Sequence, residues 1–265
     1  MEIKFSKYEG AGNDFILLDN RDKKYSTLKK KNRAHLCDRH FGVGADGLIM
    51  LSKNKEGMLV MNYYNADGGL GSMCGNGSRC FVLFARRLNL VDKKMSFLAY
   101  DGIHHATVLQ EKNNSGIFRI SMSDVAEIKK VNNDWYLNTG SPHYVTFRKK
   151  PGSLDVFKEG KKIRNSSKYR KVGTNVNFAE VVNTQINMRT YERGVEDETL
   201  ACGTGITATA LAAHVAGLIP NKQNKVRVKA VGGVLKVDFK QNGMAYSDIF
   251  LTGPARFVFE GIAKI

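Results

Sequence analysis

Proline and cysteine are both scarce in this 265-residue chain, each occurring four times. The low proline content argues against a proline-rich disordered chain. The cysteines, Cys37, Cys74, Cys80 and Cys202, are too few for a disulfide scaffold at this length, and they form no C-x-x-C pair of the kind typical of zinc sites. We therefore expect reduced thiols and no metal centre.

Long apolar runs are also missing. The longest weakly polar stretch, residues 206–219, falls short of the roughly 20 apolar residues that a membrane-spanning helix needs. Residues 1–7 lack the apolar segment of a signal peptide. These absences predict a cytoplasmic protein that has no membrane partner.

Acidic residues are outnumbered, because 41 Lys and Arg face 25 Asp and Glu and give a net charge of +16. Such a charge is typical of nucleic-acid-binding proteins, which makes that function the alternative from a different class. The basic clusters are spread over the whole chain, however, and no aromatic-interleaved RNA-binding signature accompanies them. The pattern favours a solvated basic surface, and we expect no nucleic-acid partner.

Glycine is abundant, with 26 residues, and most of the chain has the pattern of short strands joined by turns. Residues 58–64 follow a turn that contains Gly57, and residues 117–122 alternate after another turn. Residues 226–231 and 234–239 flank Gly232-Gly233, a pattern that predicts a hairpin with a glycine turn.

Two segments, 77–89 and 205–217, predict helices that are apolar on most sides, and such helices are normally buried. A third helix, of the surface type, is predicted over approximately 27–38. Both apolar helices are flanked in sequence by strands. We therefore predict an α/β (α+β) fold in which a curled, mostly antiparallel sheet surrounds a central helix.

The chain also contains an internal repeat. Residues 61–65 precede Cys74-Gly75-Asn76-Gly77, and residues 188–192 precede Cys202-Gly203-Thr204-Gly205 at nearly the same spacing. Each copy then continues into one of the apolar helices. The repeat predicts two pseudo-symmetric domains of ordinary size. They are residues 1–115 with Cys74, joined by a returning C-terminal strand at 253–265, and residues 116–252 with Cys202.

Residues 42–47 match the G-x-G-x-x-G pattern of dinucleotide-binding loops. That pattern binds a dinucleotide only where a strand precedes it and a helix follows it. Here a strand is predicted after it, at 48–51. We therefore expect a glycine loop that shapes the edge of a site, and no dinucleotide cofactor.

The two Cys-Gly-x-Gly motifs place a thiol at the start of a buried helix. The first turn of a helix has backbone N–H groups without partners in the helix and carries a partial positive charge. Glycines there let an anion approach the backbone, and the thiolate of a cysteine is favoured. Cys37 and Cys80 lie outside these motifs, and we expect them to be buried small apolar residues.

Two such helix starts facing one another predict a specific reaction. Their N–H groups would hold one carboxylate between them, and the thiols would stand on opposite faces of the adjacent carbon. One thiolate would remove the α-proton while the other thiol delivers a proton from the far side. The stereocentre would be inverted without a cofactor.

The chain resembles the diaminopimelate epimerase family of pyridoxal-independent amino-acid racemases and epimerases. The similarity spans almost the full length and rests on separated blocks, which are 10–15, 40–47, 65–68 with 73–80, 140–143, 191–194 with 201–205, and 252–255. Within them, Ser141 stands where many members have Asn, and Gly47 where some have Gln.

The resemblance implies a homodimer that converts LL-diaminopimelate to the meso form in lysine and peptidoglycan precursor biosynthesis. It implies that Cys74 and Cys202 are the acid/base thiols and that His143 and Glu192 assist them. The implied ligands of the α-carboxylate are Gly75, Asn76, Gly203 and Thr204, and those of the distal end of the substrate are Asn13, Asn65, Asn175, Glu192 and Arg193.

Alternatives remain open at this point. A two-cysteine racemase acting on proline or hydroxyproline would use the same chemistry, although Glu192, Arg193 and the asparagines favour a longer, two-headed substrate. Arg193 could instead pair with Glu196 or Asp197 on the surface. Asn177 could exchange roles with Asn175.

Overall fold

The computed structural model describes residues 1–220 and 222–265. The chain divides into two compact units, one of Met1–Ile120 with Gly253–Ile265 and one of Ser121–Thr252. The domains expected from the sequence are 1–115 with 253–265 and 116–252. Their first boundary, after residue 115, lies close to the boundary between the units after Ile120. No helix in the described ranges is long and apolar enough to span a membrane.

In the first unit the strands form a sheet that closes on itself. They are β1 (Glu2–Gly10), β2 (Asn13–Asp19), β3 (Gly47–Lys53), β4 (Leu59–Asn65), β5 (Lys94–Ala99), β6 (Gly102–Lys112), β7 (Ser115–Ser121) and the second half of β16 (Ala245–Lys264). Each pairs with the next in that order, and β16 also pairs with β1. The β2–β3 and β4–β5 pairs are parallel and the others are antiparallel.

The helices of this unit are α1 (Lys30–Cys37) and α2 (Gly75–Arg87). Leu48 of β3 belongs to an apolar cluster with Leu36 of α1, whereas the next residue, Ile49, faces α2 at Gly77. Successive residues of a strand point to opposite faces, so β3 is apolar from Leu48 to Leu51 because both of its faces are covered there. All residues of α2 from Gly75 to Ala85 are buried.

The second unit repeats this plan. Its remaining strands are β8 (Ile128–Val131), β9 (Asp134–Asn138), β10 (Pro142–Phe147), β11 (Asn175–Val182), β12 (Gln185–Glu192), β13 (Asp197–Thr199), β14 (Lys225–Ala230) and β15 (Gly233–Asn242). The sheet runs from β8 through β9, β10, β11, β12, β14 and β15 to the first half of β16, and β13 pairs with β12. Its helices are α3 (Val156–Arg164) and α4 (Gly203–Val215), and α4 is buried from Gly203 to His214.

The two units share one connectivity. In each, a helix connects two parallel strands, a hairpin follows, and a buried helix then leads to a strand parallel to the hairpin's second strand. These are α1 and α2 in the first unit and α3 and α4 in the second. The predicted α+β fold, a curled and mostly antiparallel sheet around a central helix, is confirmed.

The helix bounds differ from the prediction in a way that matters. Both buried helices begin two residues earlier than expected, at Gly75 and Gly203, because these glycines already have helical geometry. Cys74 and Cys202 are therefore the N-cap residues themselves. The surface helix is shorter than expected and begins at Lys30.

The glycine loop at 42–47 follows α1 and leads into β3, which is not the strand-to-helix setting of a dinucleotide loop. Gly42 lies against the end of α1, where a Cβ would stand 1.9 Å from the His35 carbonyl oxygen. Gly44 has a φ of +78°. The glycines are required for this close return of the chain.

Candidate active site

Cys74 caps the N-terminus of α2. Its backbone is extended (φ −119°, ψ 112°), and its Sγ accepts a hydrogen bond from the Gly77 backbone N–H at 3.4 Å. A Cβ at Gly77 would lie 3.0 Å from Ile49 Cδ1 and 3.5 Å from Cys74 Cβ, so glycine lets the helix start pack tightly. The thiol thus lies beside the N–H donors of the first turn, where negative charge is favoured.

Two of the predicted substrate-binding residues, Asn76 and Asn13, are hydrogen-bonded to each other. Asn76 Nδ2 donates to Asn13 Oδ1, and Asn13 Nδ2 donates to Asp46 Oδ2 at 2.9 Å. Asp46 also accepts from Arg39 Nη2 at 2.7 Å. Asn13 begins β2 and Asp46 directly precedes β3; because these strands are parallel neighbours, their starting ends meet. The strand register therefore brings Asn13 to Asp46.

Asn65 is the last residue of β4, on the path to α2. Its backbone N–H donates to the Gly69 carbonyl at 2.9 Å, and its carbonyl accepts from Gly68 N–H at 2.8 Å. A Cβ at Gly71 would lie 3.2 Å from Asn65 Oδ1. The loop after β4 is folded tightly around this exposed asparagine.

Cys202 caps α4 with nearly the same backbone geometry as Cys74 (φ −111°, ψ 111°). Its Sγ lies 3.4 Å from Thr204 Oγ1, and only 7% of the residue is exposed. A Cβ at Gly205 would stand 2.6 Å from Asn177 Oδ1 and 3.3 Å from Cys202 Cβ. Glycine at this position lets the start of α4 lie close to β11.

His143 is connected to this thiol through Thr204. The ring Nε2 lies 2.9 Å from Thr204 Oγ1, and Nδ1 lies 3.1 Å from Asn177 Nδ2. Asn177 Nδ2 also donates to the Tyr144 carbonyl at 3.2 Å, which fixes the orientation of the amide. Nδ1 must then accept a hydrogen bond, so Nε2 carries the proton and donates to Thr204. The Thr204 hydroxyl can in turn donate to Cys202 Sγ.

Electrostatics keep His143 neutral. Burial, followed by the charge of Arg193, lowers the pKa of His143 to about 3. At neutral pH the imidazole therefore acts as a directed hydrogen-bonding group and not as a cation.

The pKa of His143 makes a prediction about stability. A histidine that is harder to protonate when folded costs stability as the pH falls below its unfolded pKa of about 6.5. Between pH 6.5 and pH 5 the loss from His143 alone is about 2 kcal/mol. Chemical unfolding at pH 7 and pH 5 should show a smaller loss for His143→Gln than for the unchanged protein. Equal losses in the two proteins would contradict the buried neutral state.

Asn175 and Arg193 are also brought together. Asn175 Oδ1 accepts from the Arg193 backbone N–H at 2.8 Å, and Asn175 Nδ2 donates to Ser141 Oγ at 2.9 Å. Asn175 thus positions Arg193, and its Nδ2 also lies 3.4 Å from His143 Nε2. Asn177 contacts the other ring nitrogen, Nδ1, so the two asparagines lie on different nitrogens of one imidazole. Glu192 Oε2 accepts from Thr199 Oγ1 at 2.8 Å.

The Arg193 guanidinium does not make the surface ion pair that the sequence left open. Glu196 pairs instead with Arg164, whose Nη2 lies 3.2 Å from Glu196 Oε1. Arg193 Nη1 donates to the Val172 carbonyl at 3.0 Å. Among the described residues, no carboxylate forms an ion pair with Arg193, so its charge is available to an anionic ligand.

Cys37 and Cys80 are buried, as expected. Burial raises the pKa of Cys37 to about 12 and also raises the pKa of Cys80. Both thiols are therefore poor nucleophiles at neutral pH. Within residues 1–220 and 222–265, no three His, Cys, Asp or Glu side chains are grouped closely enough to hold a metal ion.

We call the residues around Cys74 and those around Cys202 the two half-sites. Sequence reasoning missed three of their residues, Asp46, Arg79 and Asn177. Asp46 lies inside the glycine loop that resembled a dinucleotide motif, and Asn177 was considered only as a substitute for Asn175. Arg79 is a charged residue near the start of a helix that the sequence predicts to be buried, which was a usable signal. Its partner Pro254 is 175 positions away in the chain, so sequence proximity could not reveal the contact.

Solved structures with a similar fold cover essentially the whole chain. A phenazine biosynthesis protein of the PhzF family from Bacillus anthracis has a TM-score of 0.72 at 15% identity, with 100% of both chains covered. A probable proline racemase from Agrobacterium radiobacter has a TM-score of 0.70 at 14% identity and covers 99% of this chain and 92% of its own. The protein therefore shares its fold with this PhzF protein and this proline racemase.

Sequence comparison identifies the family to which the chain belongs. The diaminopimelate epimerase family model matches residues 5–127 and 135–258. A diaminopimelate epimerase from Flavobacterium psychrophilum is 47% identical over 97% of this chain and 99% of its own length. The diaminopimelate epimerase from Chlorobaculum tepidum is 40% identical over 95% of this chain and 98% of its own length. The one from Aquifex aeolicus is 37% identical over 98% of this chain and 97% of its own length. The chain belongs to the diaminopimelate epimerase family, whose members are isomerases.

Proposed function

We propose that this protein converts LL-diaminopimelate to meso-diaminopimelate, a reaction of lysine biosynthesis, by transferring protons with two thiols. One thiolate removes the α-proton, and the other thiol delivers a proton to the opposite face of the same carbon. The C–H bond that breaks is replaced by a new one, and the two thiols exchange protonation states. The balance needs no cofactor, oxidant or metal.

The observation that supports this proposal most strongly is the repeated helix start. Each of the two units, which we propose as the two domains, has a buried helix capped by a cysteine with nearly identical backbone geometry. Proton transfer at an α-carbon needs an acid and a base of matched strength, and two cysteines at matching helix starts supply both from the same chemical group.

The remaining residues are assigned roles around that pair. We propose that the first turns of α2 and α4 bind the α-carboxylate through Gly75, Asn76, Gly203 and Thr204, and that His143 and Glu192 assist the thiols. The distal amino-acid end is assigned to Asn13, Asn65, Asn175, Glu192 and Arg193.

The distal assignment distinguishes this substrate from proline. Arg193 has no carboxylate partner among the described residues, and Asn175 holds the backbone beside it. A guanidinium matches a carboxylate with two parallel hydrogen bonds. Proline has only the carboxylate next to its reacting carbon, whereas diaminopimelate has a second one for Arg193.

We propose further that the protein is a homodimer and acts in the cytoplasm. Both thiols must remain reduced to transfer protons, and the cytoplasm maintains that state. Light scattering should give twice the chain mass of 29.5 kDa; a monomer that is fully active would refute the dimer as the functional form.

Turnover by the purified protein tests the assignment. Under reducing conditions, incubation with LL-diaminopimelate should produce the meso form, which chiral chromatography measures. L-Proline and hydroxyproline in parallel reactions should remain unchanged. Racemisation of proline without conversion of diaminopimelate would transfer the assignment to the proline racemases.

A further inference from the structure

Arg79 is fully buried in the second turn of α2. Its Nε donates to the Pro254 carbonyl at 2.9 Å, Nη1 to the Gly75 carbonyl at 3.1 Å and Nη2 to Asn76 Oδ1 at 2.8 Å. All three acceptors are neutral. Within the part of the chain that the structure describes, no carboxylate forms an ion pair with Arg79. The acid whose charge acts on it, Glu9, is paired with Arg256 at 3.2 Å.

A buried guanidinium without a counterion is costly. Moving a charge out of water carries a penalty of several kcal/mol, and neutral hydrogen-bond acceptors offset only part of it. Burial accordingly lowers the pKa of Arg79 to about 10, and negative charge at Cys74 or at Glu9 opposes that shift. An apolar residue of similar volume would fill the same space at lower cost. The charge therefore needs a reason besides packing.

Arg79 determines the orientation of two asparagine amides. A guanidinium can only donate hydrogen bonds, so Asn76 must present Oδ1 to Arg79 and Nδ2 to Asn13. Asn13 then accepts with Oδ1 and donates with Nδ2 to the Asp46 carboxylate, which can only accept. The chain of amides is fixed at one end by a pure donor and at the other by a pure acceptor.

The second unit has no equivalent cation. The residue five positions after Cys74 is Arg79, and the one five positions after Cys202 is Thr207. Thr207 is also buried and donates to the Gly203 carbonyl at 3.0 Å, the position equivalent to Gly75. The Cys202 thiol instead has the neutral His143 connected to it through Thr204. The two half-sites therefore share a backbone but differ in electrostatics.

We propose that Arg79 is a positioning residue of the Cys74 half-site: it orients the Asn76 and Asn13 amides and stabilises negative charge at the start of α2. The inference rests on the proposed function for its consequence, because that charge would be the Cys74 thiolate or the substrate carboxylate. Arg79 itself contacts neither of the reacting atoms. Its effect on Cys74 exists without substrate, which allows it to be measured separately from turnover.

The test measures the reactivity of one thiol at a time. Cys74 is alkylated with iodoacetamide over a range of pH in a Cys202→Ala background, and the modified peptide is quantified by mass spectrometry. Arg79→Met removes the charge and should shift the pH midpoint of alkylation upward by about one unit, which corresponds to roughly tenfold less thiolate at neutral pH. Arg79→Lys keeps a charge and should shift the midpoint by less than half as much.

The same substitution in a Cys74→Ala background provides the internal control, because the midpoint of Cys202 should not move. Arg79→Gln repeats the neutral substitution with a polar side chain in case the methionine variant does not fold. An unchanged Cys74 midpoint in the neutral variant that folds, or an equal shift at Cys202, would overturn the proposal. Absence of diaminopimelate turnover would overturn the proposed function and leave this result unaffected.

Discussion

Alanine at either Cys74 or Cys202 is expected to lower kcat for the epimerisation of LL-diaminopimelate by at least about 10³-fold. A positioned general acid or base contributes about 10² to 10⁴ to a proton transfer, and each thiol has both roles in turn. Removal of either thiol leaves one face of the α-carbon without a proton donor or acceptor. Chiral chromatography of the product gives the rate directly.

Cys37→Ala is the matched control for this loss. Cys37 is buried, and its raised pKa makes it unsuitable for proton transfer. The variant should retain kcat within about threefold, at a stability cost of the size expected for a small core truncation. Full activity in Cys74→Ala or in Cys202→Ala would refute the two-thiol mechanism.

Arg193→Met should raise KM for LL-diaminopimelate by about 10²-fold, because removing one partner of a hydrogen-bonded charge pair typically costs 2–5 kcal/mol. The effect on kcat should be smaller, since the guanidinium is assigned to the distal end and not to the reacting carbon. Arg193→Lys keeps the charge but lacks the planar guanidinium, so its KM should lie between that of the unchanged protein and that of Arg193→Met. Steady-state kinetics at saturating and limiting substrate separate the two parameters.

Arg164→Met is the local control for Arg193→Met. Both arginines belong to the same unit and approach Gly173, but Arg164 is paired with Glu196. Its removal changes the net charge equally and should leave KM within about threefold, because Arg164 is paired with Glu196 and is assigned no contact with the substrate. A similar rise in KM in both variants would show that general charge, and not Arg193 itself, attracts the substrate.

The fold was largely predictable because its signals are local. An apolar helix flanked by strands must be buried, and the repeated Cys-Gly-x-Gly motif marks the same point in each unit. The helix starts were displaced by two residues, since Gly75 and Gly203 look like turn residues in sequence and are helical in the structure. The hairpin predicted with a turn at Gly232-Gly233 is formed by β14 and β15. Ala230 pairs with Gly233, so its turn is Val231-Gly232.

The contacts around the thiols were less predictable because they cross long stretches of chain. Cysteine at a helix start is visible in sequence, whereas the His143–Thr204 contact joins residues 61 positions apart. The distinction between Asn175 and Asn177 depends on β-strand register and on which backbone group each amide meets. Arg79 could have been noticed as a charge on a buried helix, but its neutral partners became visible only once β16 was placed beside α2.

The most direct test of the two-thiol account is the first fraction of turnover of LL-diaminopimelate in deuterium oxide. The thiol that delivers the proton has exchanged with solvent, whereas the proton removed from the substrate remains on the other thiol. The account predicts that early meso product contains deuterium at the inverted carbon and that unreacted LL substrate contains none. Early product that retains the original proton would mean that one group both removes and returns it, and would contradict the account.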